Sequence, residues 1–244
     1  MAGRFALTAT PAEVEAYFRL GDVGDFPQRY NIAPGQPILL VTAGYPRGPG
    51  SNLPARRSLL VRWGLIPGWA KDPRKVSLLF NARAETAAER RAFMAPMRHR
   101  RSLVPASGFY EWRKREDGPG QAYWVRPRRG GVIAFAALME TWLEPGGSEI
   151  DTAAILTTQA NGALAAIRDR MPVVVEPGDF ERWLDCLNNE PRHVMDLTRP
   201  PDPDFFEPIP VSDKINRVAN IGPDVQERVE IAKSTPSGGQ LSLL

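Results

Sequence analysis

Pro105-Ala106-Ser107-Gly108-Phe109-Tyr110-Glu111-Trp112 carries the reading that decides the fold. A short apolar run (103–104) meets a Ser-Gly break and then enters an aromatic–polar alternation. Residues alternating with a period of two belong to a strand, so Tyr110 and Trp112 share one face and Glu111 takes the other. Two readings of Glu111 stay open. It is either the solvated side of an amphipathic strand, or a carboxylate desolvated among aromatics. In the second case its pKa rises and it becomes fit to shuttle protons.

Working outward, further strand patterns occur at 3–7, 38–42, 59–63, 122–126, 132–138, 153–157 and 171–175. Helices are fewer. Thr10, with Pro11 at the first helical position and Glu13 three residues on, forms a capping box. Thr86 with Glu89 predicts a short helix running to residue 94. Phe180, Trp183, Leu184 and Leu187 recur at helical spacing after Pro177, placing Cys186 on that helix. Residues 21–37 are turn-rich, 43–57 a loop, 70–76 a basic loop, 113–120 a charged hairpin connection, and 199–210 a proline-rich crossing. The expected class is a β-rich α+β domain over residues 1–225, with short peripheral helices, long loops and a flexible extension at 226–244.

Composition limits the function classes. The 244 residues are 43% hydrophobic and 24% charged, which excludes a disordered chain or a coiled coil. With Cys186 as the single cysteine, no intrachain disulfide can form. With only His99 and His193 beside it, a zinc centre is not expected. No apolar run approaches the roughly 20 residues of a membrane span, and no signal peptide is expected, which together suit a cytoplasmic protein. The net charge of +3 conceals a split. Residues 1–129 carry 22 basic and 10 acidic side chains, whereas 130–244 carry 9 and 18. A basic face could attract a polyanion; interleaved, the same charges make an ordinary solvated surface.

Three further clusters hold chemistry-bearing residues. Asn81-Ala82-Arg83-Ala84-Glu85-Thr86 combines an amide with an arginine able to grip a phosphate, or is simply a helix entrance. Ala166-Ile167-Arg168-Asp169-Arg170-Met171-Pro172 offers Arg168 to an anion or to a structural ion pair. Trp63 and Trp69 flank a Gly/Pro-rich turn and serve as packing or as base platforms. Cys186, His99 and His193 lack chemical partners at meaningful spacing and read as structural.

Taken in order, these motifs resemble the SOS-response-associated peptidase family, known for its abasic-site-processing proteins. The likeness covers residues 2–225. Its landmarks include Gly3-Arg4-Phe5, Arg29-Tyr30-Asn31-Ile32-Ala33-Pro34, Trp63-Gly64-Leu65-Ile66-Pro67, the Asn81 and Glu111 clusters, Asp169-Arg170-Met171-Pro172, and Asn216. The resemblance implies a barrel-like strand core with a positively charged groove for single-stranded or junction DNA containing an abasic site. In the family, removal of Met1 exposes an N-terminal cysteine, whose amine and thiol capture the sugar aldehyde as a thiazolidine.

This chain departs at two places. Position 2 is Ala2, which has no thiol; its α-amine, with a reference pKa of about 7.7–8.0, still suits a Schiff base. Arg168 stands where the family carries the histidine that handles protons, and arginine is a poor neutral base. The resemblance therefore implies an altered member, with Ala2, Asn81, Glu111 and Arg168 as its catalytic positions. Arg4, Trp63 and Arg83 are its expected DNA contacts. No cofactor and no metal are implied, and peptidase action extends only to loss of Met1. The expected setting is a monomer in the bacterial cytoplasm, at the nucleoid and away from membranes.

Overall fold

In the computed structural model, which describes residues 3–45, 48, 50–115, 120–144 and 146–231, the Ser107-Gly108 break joins two sheets. Strand β6 (Arg101–Ala106) belongs to one sheet and β7 (Gly108–Arg113) to the other. Ser107 N–H donates to the Ala6 carbonyl at 2.8 Å, and Ser107 Oγ accepts from Thr8 N–H at 2.9 Å. Gly108 has φ +157°, and a Cβ there would lie 2.4 Å from the Val125 carbonyl oxygen. Only glycine fits this corner.

The first sheet closes on itself. Strands β3 (Pro37–Ala43), β4 (Arg56–Trp63), β9 (Ile133–Leu143) and β10 (Glu149–Gln159) join β6 in a five-strand barrel. Its pairings run β3–β4, β4–β10, β10–β9, β9–β6 and β6–β3. The β4–β10 contact is parallel and the others are antiparallel. Alanines 134, 136, 137, 153 and 154 are buried in β9 and β10, where small side chains let the elements packed on both faces approach closely. Two short strands extend from β10: β5 (Asn81–Arg83), parallel to it, and β11 (Arg170–Pro172), antiparallel.

The second sheet has the order β12-β8-β7-β1-β2, formed by β1 (Phe5–Leu7), β2 (Arg29–Ile32), β8 (Gln121–Pro127) and β12 (Phe206–Val211) with β7. It packs on the barrel through edge-on aromatic contacts of Phe5 and Phe109 with Phe135. Its outer face buries Ala6, Tyr110, Trp124 and Val211 beneath Ile215 and Val225. Among the described residues, no helix is long and apolar enough to cross a membrane.

The structure extends and corrects the sequence expectations. Helix α1 (Pro11–Phe18) carries the complete Thr10–Glu13 capping box. Residues 21–37 also contain β2, and the proline-rich crossing at 199–210 contains β12. Prolines 208 and 210 are tolerated because β12 lies at a sheet edge. Thr86 does not begin a helix: it lies inside α2 (Ala84–Ala87), and α3 (Met94–His99) follows separately. Helix α4 (Phe180–Leu184) ends before Cys186, leaving Leu187 exposed. Residues 116–119 of the predicted hairpin connection, and 232–244 of the predicted extension, lie outside the described residues.

Candidate functional site

The alternation in β7 divides its side chains between two environments. Tyr110 faces the outer cluster, where its hydroxyl donates to the Tyr30 carbonyl at 2.6 Å and accepts from Gln226 Nε2 at 3.0 Å. Trp112 lies on the same face, with its indole N–H donating to Asn216 Oδ1 at 2.7 Å. Glu111 takes the opposite face and is only 1% exposed, so the solvated reading of this residue fails.

Arg168 approaches Glu111 from the loop after the 3-10 turn Gly162–Ala166, with Nε 3.2 Å from Oε2. Arg168 Nε is itself buried, and the contact is an ion pair without hydrogen-bond alignment. Burial pushes the Glu111 carboxyl above its usual range, and the Arg168 charge opposes that rise. A group balanced in this way can hold a proton closer to neutrality than a surface glutamate can.

Asn81 and Arg83 enter through β5, opposite Ile155 and Thr157 of β10. Asn81 is half-buried and Arg83 is exposed. On the other flank of β10, Arg170 clamps Glu85 through two hydrogen bonds of 2.7 and 2.8 Å. Arg170 also donates to the Thr157 carbonyl. The arginines on either side of β10 thus differ. Arg170 is committed to a carboxylate and a carbonyl, while Arg83 presents its side chain to solvent.

Two sequence-predicted DNA contacts sit elsewhere than expected. Trp63 is fully buried: its ring packs edge-on against Phe5 and Phe80, and Nε1 donates to the Phe80 carbonyl at 2.8 Å. It therefore holds the barrel together and offers no face to a base. Trp69, across the same turn, is the exposed member of the pair, with the Arg91 guanidinium 4.6 Å from its ring centroid. Arg4 is half-buried and donates to Asn31 Oδ1 and to the Ile215 carbonyl, both at 2.8 Å. Asn31 in turn donates to the carbonyls of Arg217 and Asn220 at 3.0 and 2.8 Å. Arg4 and Asn31 together fasten the 215–220 segment over the start of β1, a structural role the sequence did not assign to either. Ala2 lies outside the described residues.

Cys186 is half-buried, and burial pushes its thiol up, away from reactivity. Among the described residues, no group of His, Cys, Asp and Glu side chains is arranged to hold a metal ion.

A closed five-strand barrel with a second sheet packed on it, and a buried Glu111 paired with a partly exposed Arg168, define the architectural class. The family model described as SOS response associated peptidase (SRAP) matches residues 1–218, and the chain belongs to that family. It is 34% identical over 230 residues to the abasic site processing protein YoqW of Bacillus subtilis, an alignment covering 93% of this chain and 99% of that protein. It is also 34% identical over 190 residues to the abasic site processing protein YedK of Escherichia coli, covering 75% and 79% of the two chains. A solved structure from Bacteroides thetaiotaomicron superposes with a TM-score of 0.78 at 21% identity, covering 93% of this chain and all of that one. This last likeness shows the shared fold.

Proposed function

We propose that this protein recognises abasic sites in single-stranded or junction DNA, and that after loss of Met1 the Ala2 α-amine captures the sugar aldehyde as an imine. One observation supports the reading: Glu111 is buried on the strand that pairs with the first described strand of the chain, and burial raises its pKa. Strand β1 pairs antiparallel with β7 in the register Phe5↔Phe109 and Ala6↔Gly108, and Tyr110 N–H donates to the Arg4 carbonyl at 2.9 Å. Continued by two residues beyond Phe5, that register brings Gly3, the first described residue, beside Glu111, which supports a start of the chain directed at this carboxyl.

The chemistry then follows from the groups present. The neutral amine adds to the aldehyde carbon and gives a carbinolamine. Glu111 donates a proton to the departing hydroxyl, which leaves as water while the nitrogen lone pair forms the C=N bond, and the Glu111 carboxylate so produced takes back the remaining proton of the iminium nitrogen. Arg168 keeps its positive charge and orients the Glu111 carboxylate, in place of a neutral base. Without a thiol at position 2 the product stops at the imine. Asn81 orients the sugar, and Arg83 meets a phosphate at the exposed edge of β5. The fixed charge of Arg168 and the missing thiol favour a second reading, in which the protein binds the lesion without covalent chemistry.

Borohydride reduction of mixtures with abasic single-stranded oligonucleotides separates the two. Under the imine reading, wild type gives a stable adduct that Glu111→Gln reduces at least tenfold. Under the second reading, salt-sensitive binding persists with no adduct. Absence of both adduct and DNA binding refutes the proposal.

A further inference from the structure

An open depression of about 360 Å³ lies immediately beside the Glu111–Arg168 pair, between the end of β7 and the 165–169 turn. Arg113, Lys114, Ala165, Ile167, Arg168 and Asp169 line it. Arg113 is two residues beyond Glu111, so both side chains leave the same face of β7. Arg113 and Lys114 are exposed, and among the described residues neither side chain has a hydrogen-bond or ion-pair partner. This sets them apart from Arg4, Arg101 and Arg170, whose donors are engaged by carbonyls or side-chain oxygens. Arg168 joins both places: its Nε is buried against Glu111, while its side chain is 36% exposed. Among the described residues, the lining therefore sets three cations against one carboxylate, Asp169, and includes no aromatic ring on which a base could stack.

We propose that this depression is a phosphate subsite: Arg113 and Lys114, with the outer part of Arg168, hold the phosphodiester adjoining the reacting sugar. The inference rests on the DNA reading given above and adds to it a binding position and a ligand group. Its logic is electrostatic. A phosphate held here sits next to Arg168 and draws that guanidinium toward the depression, so backbone binding and the placement of Glu111 are linked. The ligand group is a backbone phosphate and not a base edge, so the subsite contributes affinity independent of sequence.

The test is a thermodynamic cycle on DNA binding. Wild type and the Arg113→Gln/Lys114→Gln variant are titrated across a salt series with a single-stranded abasic oligonucleotide. The titrations are repeated with oligonucleotides carrying one neutral methylphosphonate linkage at either side of the lesion. Both substitutions are at exposed positions, and matching thermal unfolding verifies the fold. The expected variant has a salt dependence shallower by about 0.7 per lost phosphate contact. One of the two neutral linkages should weaken wild type several-fold while leaving the variant unchanged. If wild type binds in a salt-dependent way and the variant behaves identically, the subsite is refuted while the DNA reading stands. If the variant weakens but both neutral linkages still weaken it as they do wild type, phosphate is not the ligand of these residues. If wild type does not bind DNA, both proposals fall.

Discussion

Replacing Arg168 by methionine removes the cation 3.2 Å from a carboxylate that is 1% exposed, and the cost should depend on pH. Unit charges at that separation interact by about 5 kcal/mol at an effective dielectric of about 20, and by about 1.3 kcal/mol in bulk water. The Arg168 side chain is 36% exposed, so solvent screening discounts the higher figure, and about 2 kcal/mol is the working value. Protonation sets a ceiling on this loss, since a carboxylate deprived of its cation can take up a proton instead. The sign follows from the direction of the shift. Burial raises the Glu111 pKa in the folded state. Its stabilising contribution is therefore complete below the ordinary carboxylate range and is lost as pH rises through the folded value. Removing Arg168 raises that value further and deepens the loss on the alkaline side. For a chain of this size, about 2 kcal/mol corresponds to a melting temperature roughly 4–8 °C lower. Thermal unfolding at pH 5, 6.5 and 8 should show Arg168→Met within about 2 °C of wild type at pH 5 and lowered by the full amount at pH 8. Adding Glu111→Gln should recover most of the difference at pH 8. An equal loss at both ends of the range, or a double variant no better than Arg168→Met, would refute the electrostatic account.

Three other perturbations test separate parts of the structure. Trp63→Ala should destabilise by about 3–5 kcal/mol because it empties a core position, whereas Trp69→Ala should leave thermal unfolding unchanged and weaken single-stranded DNA binding in a fluorescence titration. Asn31→Ala removes donors from two carbonyls and the acceptor for Arg4. It should cost about 2–3 kcal/mol, and hydrogen exchange should rise selectively across 213–226. Gly108→Ala places a methyl group within contact of the Val125 carbonyl and the Trp124 ring. It should lower stability by more than about 2 kcal/mol, measured by urea unfolding.

Much of this architecture was written in local patterns, and the failures have physical causes. The Thr10–Glu13 capping box was legible because all its partners lie within one turn. The 109–112 alternation correctly separated Glu111 from Tyr110 and Trp112, since strand periodicity is a property of the backbone. Local sequence could not decide whether the Glu111 side of the strand faced water, because that depends on the barrel packed against it. Trp63 was misplaced although a signal existed. Val61 and Trp63 are buried while Leu60 and Arg62 are exposed, so extending the alternation through the end of β4 assigns Trp63 to the interior. Arg4 was read as a phosphate ligand because its partner segment is more than 200 residues away in the chain. The charge split likewise overstated the supply of free cations. Arg101 is 2% exposed and gives its donors to the carbonyls of Met97, Trp183, Asp185 and Asn189. Strand β12 was hidden by its prolines, which composition associates with crossings and edge geometry permits in a sheet.

The most direct test of the central claim is mass spectrometry of the protein after incubation with abasic single-stranded DNA and borohydride, followed by peptide mapping. The account predicts a chain that has lost Met1 and carries one reduced adduct on the Ala2 amine, with the adduct strongly diminished in Glu111→Gln. Adduct on lysine side chains alone, or adduct formation at position 2 that is indifferent to Glu111, would contradict it.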